Sequence, residues 1–271
     1  MNISTRPGRQ IPIKSVPNLR DLGGWPTRGG GRVRSGLLFR SVELTQLSDD
    51  DLPAFQSLGI RTVFDLRTAA EVQQAPDRTL DDVDSMKLDV LADSPSTAPA
   101  QVFRALDNPA EATRLLGGGK ALHLFETGYR EIVSLPSALR SYATFFNILA
   151  DGGRLPALFH CTTGKDRTGW AAAAFLSLMG VAEQDVLRDY MLTNEQLLPA
   201  LGQLFDKFAA AGGDPETLRP VIGVEPTYLQ VAFEQMRQMF GSIERYFTEG
   251  LGIDRATQAA LRAHFTESSR I

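Results

Sequence analysis

The chain has 271 residues, of which 43% are apolar and 22% charged. This ordinary globular composition excludes a disordered tail, a collagen-like chain and a coiled coil. The net charge of −4, from 28 basic and 32 acidic residues, argues against a nucleic-acid binder, which normally carries a basic excess.

A chain this long buries roughly 75% of its unfolded surface on folding. One domain over residues 1–271 is therefore expected, without disulfide staples, since there is a single cysteine. That cysteine is either inert core or a working thiol. No hydrophobic stretch precedes the polar turn near the N-terminus, so no signal peptide is expected. The most apolar runs, 33–39 and 171–181, are too short to cross a bilayer. Cytoplasm is the default compartment, with leaderless secretion the alternative.

Residues 1–32 are rich in Gly, Pro and Arg and read as extended or looped, with turns at Trp25-Pro26 and Gly29-Gly30-Gly31. A short strand is expected over 33–39. Ser48 and Asp51 have capping-box spacing and open a helix that Gly59 ends. The β-branched and aromatic run 62–64 reads as a buried parallel strand, followed by Asp65-Leu66-Arg67 and a helix to Gln74. A weaker strand is expected over 86–90. Residues 91–120 read as an excursion over one face, with a helix-like piece at 101–106. Residues 122–150 are helical with a break near Pro136, 155–160 a strand, and 168–179 a helix.

From Glu183 onward the pattern is helical, broken at 212–215 and 223–226. Phe233, Met236, Met239, Phe240, Ile243 and Phe247 recur at helical spacing and are expected to pack. Alternating short strands and helices predict an α/β fold: a mainly parallel central sheet flanked by helices, with extra C-terminal helices. Segments 91–120 and roughly 195–250 are candidates for a lid.

The chemistry concentrates in His160-Cys161-Thr162-Thr163-Gly164-Lys165-Asp166-Arg167-Thr168-Gly169. A short loop between a strand and a helix gathers backbone N–H groups into one hollow, at the positive end of the helix. That nest favours the thiolate of Cys161. Arg167 offers a rigid fork matched to two phosphate oxygens. Gly164 permits a tight turn. Thr162, Thr163, Lys165 and Gly169 complete the expected anion cradle. A thiolate attacking phosphorus, with Arg167 and the amides on the equatorial oxygens, gives a cysteinyl-phosphate that water hydrolyses. No metal and no cofactor is called for. Thr168 is expected to donate its hydroxyl to the Cys161 sulfur. His160 either shapes the turn or serves a purely structural role. Neither His123 nor His264 has ligand spacing to it.

Cys161, five residues, then Arg167-Thr168 resembles the signature of cysteine-based protein tyrosine phosphatases. The fuller run 161–169 is similar to a narrower PtpB-like branch of bacterial tyrosine/serine phosphatases, with fungal and plant relatives. Asn18-Leu19-Arg20-Asp21-Leu22-Gly23-Gly24, the block 36–44, and Asp65-Leu66-Arg67 with Glu71 resemble that branch's upstream motifs. The resemblance covers roughly 16–195. It implies a tyrosine-phosphatase-like fold and hydrolysis of phosphotyrosine, with phosphoserine, phosphothreonine and phosphoinositides as further substrate classes. Inorganic phosphate is the implied product. Lys165 either meets a second phosphate of an inositol ring or only strengthens the anion field. The oligomeric state is not indicated.

The leaving oxygen needs a proton. The Trp-Pro-Asp acid motif of the larger family is absent, because Thr27 follows Trp25-Pro26. The narrower branch implies Asp166, whose neighbouring phosphate dianion and thiolate favour a protonated carboxyl. Asp93, in the loop after the 86–90 strand, is the competing candidate, and Asp89 a third. Asp65 and Arg67 either buttress the loop or touch substrate. Arg20, Asp21 and Arg40 are candidates for holding it open. Other readings are a rhodanese-like sulfurtransferase, an arsenate reductase, for which no internal resolving thiol exists, and a noncatalytic phosphate-binding module.

Overall fold

Five short strands, drawn from the first two-thirds of the chain, line up in one sheet. The computed structural model describes residues 6–95 and 108–268. The strands are β1 (Arg20–Asp21), β2 (Gly31–Val33), β3 (Leu38–Ser41), β4 (Thr62–Asp65), β5 (Asp84–Lys87), β6 (Ala157–His160) and β7 (Thr266–Ser268). The main helices are α1 (Leu52–Gln56), α2 (Ala69–Gln74), α3 (Pro109–Leu116), α4 (Lys120–Ser134), α5 (Pro136–Asp151) and α6 (Arg167–Leu178), then α7 (Glu183–Leu197), α8 (Gly202–Ala210), α9 (Pro226–Phe240) and α10 (Arg255–Phe265).

The sheet order is β1-β3-β6-β4-β5, parallel throughout except for β1 against β3. Every residue of β3, β4 and β6 is buried, as a parallel sheet covered on both faces requires. Side chains alternate between two cores. Leu38, Phe64 and Phe159 face one core, with Trp170, Phe145 and the C-terminal helices. Phe39, Val63 and Leu158 face the other, with Ile13, Leu19 and Phe55. A third, smaller cluster joins Leu116, Ala121, Phe208, Leu218, Val221 and Ile222. It holds α3, the start of α4, α8 and the 218–222 turn as a cap with its own core.

Register fixes the site. Ser41 and Asp65 lie level with His160 on either side. The three parallel strands therefore end together, and Cys161 follows the middle one. This carboxyl edge is where open α/β sheets bind ligands.

The sheet, its helices and the helical C-terminal half agree with the sequence reading, but details differ: the strand expected over 86–90 is β5 at Asp84–Lys87. The expected strand 33–39 is two strands, because Gly36 turns at φ +80°. The Ser48–Asp51 capping box is half formed: Ser48 Oγ accepts the Asp51 amide at 3.2 Å, but the Asp51 carboxylate accepts the Ser15 amide and hydroxyl at 2.8 and 2.7 Å. Met239 is 46% exposed, although Phe233, Met236, Phe240 and Phe247 are buried as expected. β7, which had no strand signal, pairs with β2. The expected piece at 101–106 lies outside the described residues. Among the described residues no helix is long and apolar enough to cross a membrane.

Candidate active site

Residues 161–166 link β6 to the first turn of α6. Gly164 sits at φ +64°, and a Cβ there would collide with the Ser41 backbone. Only glycine lets the loop lie on the end of β3. A Cβ on Gly169 would stand 3.0 Å from the Tyr190 ring, so this glycine lets α6 approach α7. The loop carbonyls are drawn outward. Asn18 Nδ2 donates to Thr163 O at 3.3 Å and Gly164 O at 3.1 Å. Arg40 Nη2 donates to Gly164 O at 2.8 Å, and the Glu43 amide to Thr162 O at 3.1 Å. Among the described residues nothing accepts from the amides of 162–166. These amides are the donors an anion nest needs. Cys161, 1% exposed, lies at the start of the loop.

Arg40 is one arm of a buried clamp. Asp189 of α7 accepts from Arg40 Nη1 at 2.9 Å and Arg20 Nε at 3.0 Å. Arg20 Nη1 also donates to the Asn18 side chain. Burial alone would raise the Asp189 carboxyl, but Arg20 and Arg40 hold it below its ordinary range. Burial, then the charge of Arg20, pushes Arg40 down to about 10. Asp21 stands apart. It accepts the Gly23 and Gly36 amides at 2.8 and 2.5 Å, and burial pushes it up to about 6.

Arg167 begins α6, and Glu71 holds its guanidinium through two nitrogens, at 2.6 and 2.7 Å. Glu71 also accepts the Thr162 hydroxyl at 2.6 Å and closes a capping box with Thr68 at the start of α2. Nε of Arg167 is outside this pair, so one edge of the fork is left for an anion. Burial opposes the positive charge of Arg167, but the neighbouring Cys161, Glu71 and Asp166 outweigh it and hold its pKa above the ordinary arginine value. Burial likewise opposes ionisation of Glu71, and Arg167 overrides it.

Asp166 Oδ1 accepts the Tyr129 hydroxyl at 2.7 Å and lies 3.3 Å from Lys165 Nζ. Lys165, 2% exposed, also donates to Gly223 O at 3.0 Å and stands 4.2 Å over the Phe125 ring. Burial lowers its pKa, with Asp166 opposing. Its ammonium thus points under the cap.

His160 Nδ1 lies 3.1 Å from Cys161 O. Its Nε2 is 3.1 Å from Asp77 Oδ2, at ion-pair distance but off hydrogen-bond alignment. Asp65, Asp77 and His160 gather three potential metal-ligand atoms. The Arg67 guanidinium already occupies their midst, at 2.8 Å from Asp65, 2.9 Å from Asp77 and 2.6 Å from Glu43. The buried Asp65, Arg67 and His160, with the half-buried Glu43 and Asp77, brace the ends of β4 and β6.

Asp93 pairs instead with Arg140 at 2.9 Å and accepts no contact from the 160–169 run. Asp89 accepts the Ala69 and Leu91 amides, at the start of α2. Thr168 Oγ1 is buried without a hydrogen-bond partner, so its expected bond to Cys161 sulfur is not formed.

Glu71, Asp77, Tyr129, Asp189 and Tyr190 carried no assigned role in the sequence reading. Two left a signal. Glu71 follows Thr68 at capping-box spacing. Asp189 interrupts the buried stripe Val186, Tyr190, Thr193 and Leu197 of α7, and an acid on a buried face needs a partner.

A profile of the tyrosine phosphatase family matches residues 11–267. A Cupriavidus necator relative named for the tyrosine-protein phosphatases is 31% identical over 267 residues, covering 94% of this chain and 88% of its own. The triple specificity protein phosphatase PtpB of Mycobacterium tuberculosis is 29% identical over 279 residues, covering 93% and 98%. A tyrosine-protein phosphatase of Nostoc commune is 27% identical over 161 residues, covering 58% and 48%. With both the loop and the full span of the fold matched, the chain belongs to the tyrosine phosphatase family.

Proposed function

We propose that this phosphatase hydrolyses phosphomonoesters through a cysteinyl-phosphate, without a metal. The supporting observation is one loop that carries Cys161, unpaired amides and an Arg167 braced by Glu71. The Cys161 sulfur forms a bond to phosphorus as the P–O bond breaks, and Asp166 gives its proton to the leaving oxygen. Asp166 then takes a proton from water as that water displaces the sulfur, releasing phosphate. Asp166 is preferred to Asp93 because it lies within the loop, whereas Asp93 pairs with Arg140.

Phosphotyrosine is the favoured substrate, with phosphoserine and phosphothreonine as further ones. The triple specificity of the mycobacterial relative's name supports that breadth. Phosphoinositides are the second reading, favoured by a lysine inside the loop. Lys165 is held by Gly223 and Phe125, so it meets a second phosphate only if the cap moves. Residues 1–271 act as one domain, with 91–120 and the roughly 195–250 segment that carries Gly223 as lid or accessory segments.

Phosphate release from phosphotyrosine, phosphoserine and phosphothreonine peptides and from mono- and bis-phosphorylated phosphoinositides tests this. Cys161→Ser is expected to abolish every activity. Lys165→Ala lowering all substrates alike supports the tyrosine phosphatase reading. Selective loss on bis-phosphorylated lipids supports the second. Phosphate release that survives Cys161→Ser contradicts both.

A further inference from the structure

The two carboxyl oxygens of Asp166 stand in unlike surroundings. Oδ1 accepts the Tyr129 hydroxyl at 2.7 Å and has Lys165 Nζ at 3.3 Å. No partner takes Oδ2 among the described residues, and the side chain is 26% exposed. Behind Tyr129, the Tyr190 hydroxyl lies at 2.5 Å. A hydroxyl has one proton to give. Since Tyr129 gives its proton to Asp166, Tyr190 must donate to Tyr129. The relay therefore runs one way, from Tyr190 through Tyr129 to Oδ1.

Packing fixes both hydroxyls. Each tyrosine is 1% exposed. The Tyr129 ring of α4 stacks on Tyr228 at 5.4 Å and meets Tyr190 edge-on at 6.3 Å. Tyr190 of α7 is wedged against Gly169 at the first turn of α6. Neither ring depends on the loop for its place.

We infer that Tyr129, oriented by Tyr190, is a positioning residue for proton transfer: it occupies Oδ1 and thereby assigns the transferable proton to Oδ2. This rests on the reading of Asp166 as the acid. As the P–O bond breaks, the Oδ2 proton goes to the leaving oxygen and Asp166 becomes a carboxylate. The Tyr129 hydroxyl and Lys165 ammonium meet that new charge, so their bonds strengthen in the transition state.

The test is kcat/KM across aryl phosphates, from phenyl phosphate, whose leaving group needs a proton, to dinitrophenyl phosphate, whose leaving group does not. Asp166→Asn, Tyr129→Phe and Tyr190→Phe are compared. Phenylalanine preserves the ring packing, and unchanged inhibition by inorganic phosphate confirms an intact loop. Tyr129→Phe is expected to lose about tenfold on phenyl phosphate and less than about twofold on dinitrophenyl phosphate, a fraction of the full general-acid effect. Tyr190→Phe is expected to follow the same trend more weakly. Equal losses on both esters, or no loss on either, would overturn the role of Tyr129 while Asp166→Asn remained selective. An unselective Asp166→Asn would instead remove the acid assignment itself.

Discussion

Glu71 meets Arg167 through two guanidinium nitrogens and reaches Thr162 with the same carboxylate. One side chain therefore orients both ends of the phosphate loop before any anion arrives. The alternative, a flexible arginine that finds the phosphate on binding, would spend binding energy on ordering it. Glu71→Gln keeps the shape and removes the charge. Charge-assisted hydrogen bonds contribute about 1.5–3 kcal/mol. The variant is therefore expected to unfold at a lower temperature and to bind inorganic phosphate, measured as a competitive inhibitor, about 10- to 100-fold more weakly. Affinity equal to wild type would show that Arg167 needs no such brace. The loop residues were legible in sequence because they are contiguous and their spacing is dictated by the chemistry. Glu71 was visible only as part of a block resembling the family's motif, since nothing local announces a partner 96 positions away.

At the scale of elements, α7 anchors the loop from behind. Asp189 binds Arg20 and Arg40, and Arg40 holds the Gly164 carbonyl. All three groups are buried, so removing the acid strands two cations away from water. Breaking a buried pair in this way costs about 3–5 kcal/mol. Asp189→Asn should lower the denaturant midpoint accordingly near neutral pH. The folded carboxyl is held below its unfolded value, so its contribution is full above the ordinary carboxylate value of 3.8 and is lost as pH falls through the lowered folded value. The gap between wild type and variant should therefore close in acid. A pH-independent gap would point to packing rather than charge. Strand and helix order was legible from apolar runs and turn residues. The split at Gly36 and the pairing of β7 with β2 were not, because short strands are fixed by partners distant in sequence.

Over the whole molecule, the sheet brings three strand ends level and the helical half closes around the loop. The cap has its own apolar cluster and touches the loop through Lys165, while α4 supplies Tyr129 to Asp166. The sequence showed that these helices exist and where they break. It did not show which face meets the loop, since helical periodicity marks a buried stripe without naming what it is buried against. The proposed mechanism requires Cys161 to become phosphorylated during turnover. Acid quenching of the protein during hydrolysis of p-nitrophenyl phosphate, followed by peptide mapping, measures this directly. Phosphate is expected on the Cys161 peptide of the wild type and none in Cys161→Ser, which should also be inactive. Sustained turnover with no phosphate on Cys161, or with Cys161→Ser at the wild-type rate, would contradict that mechanism.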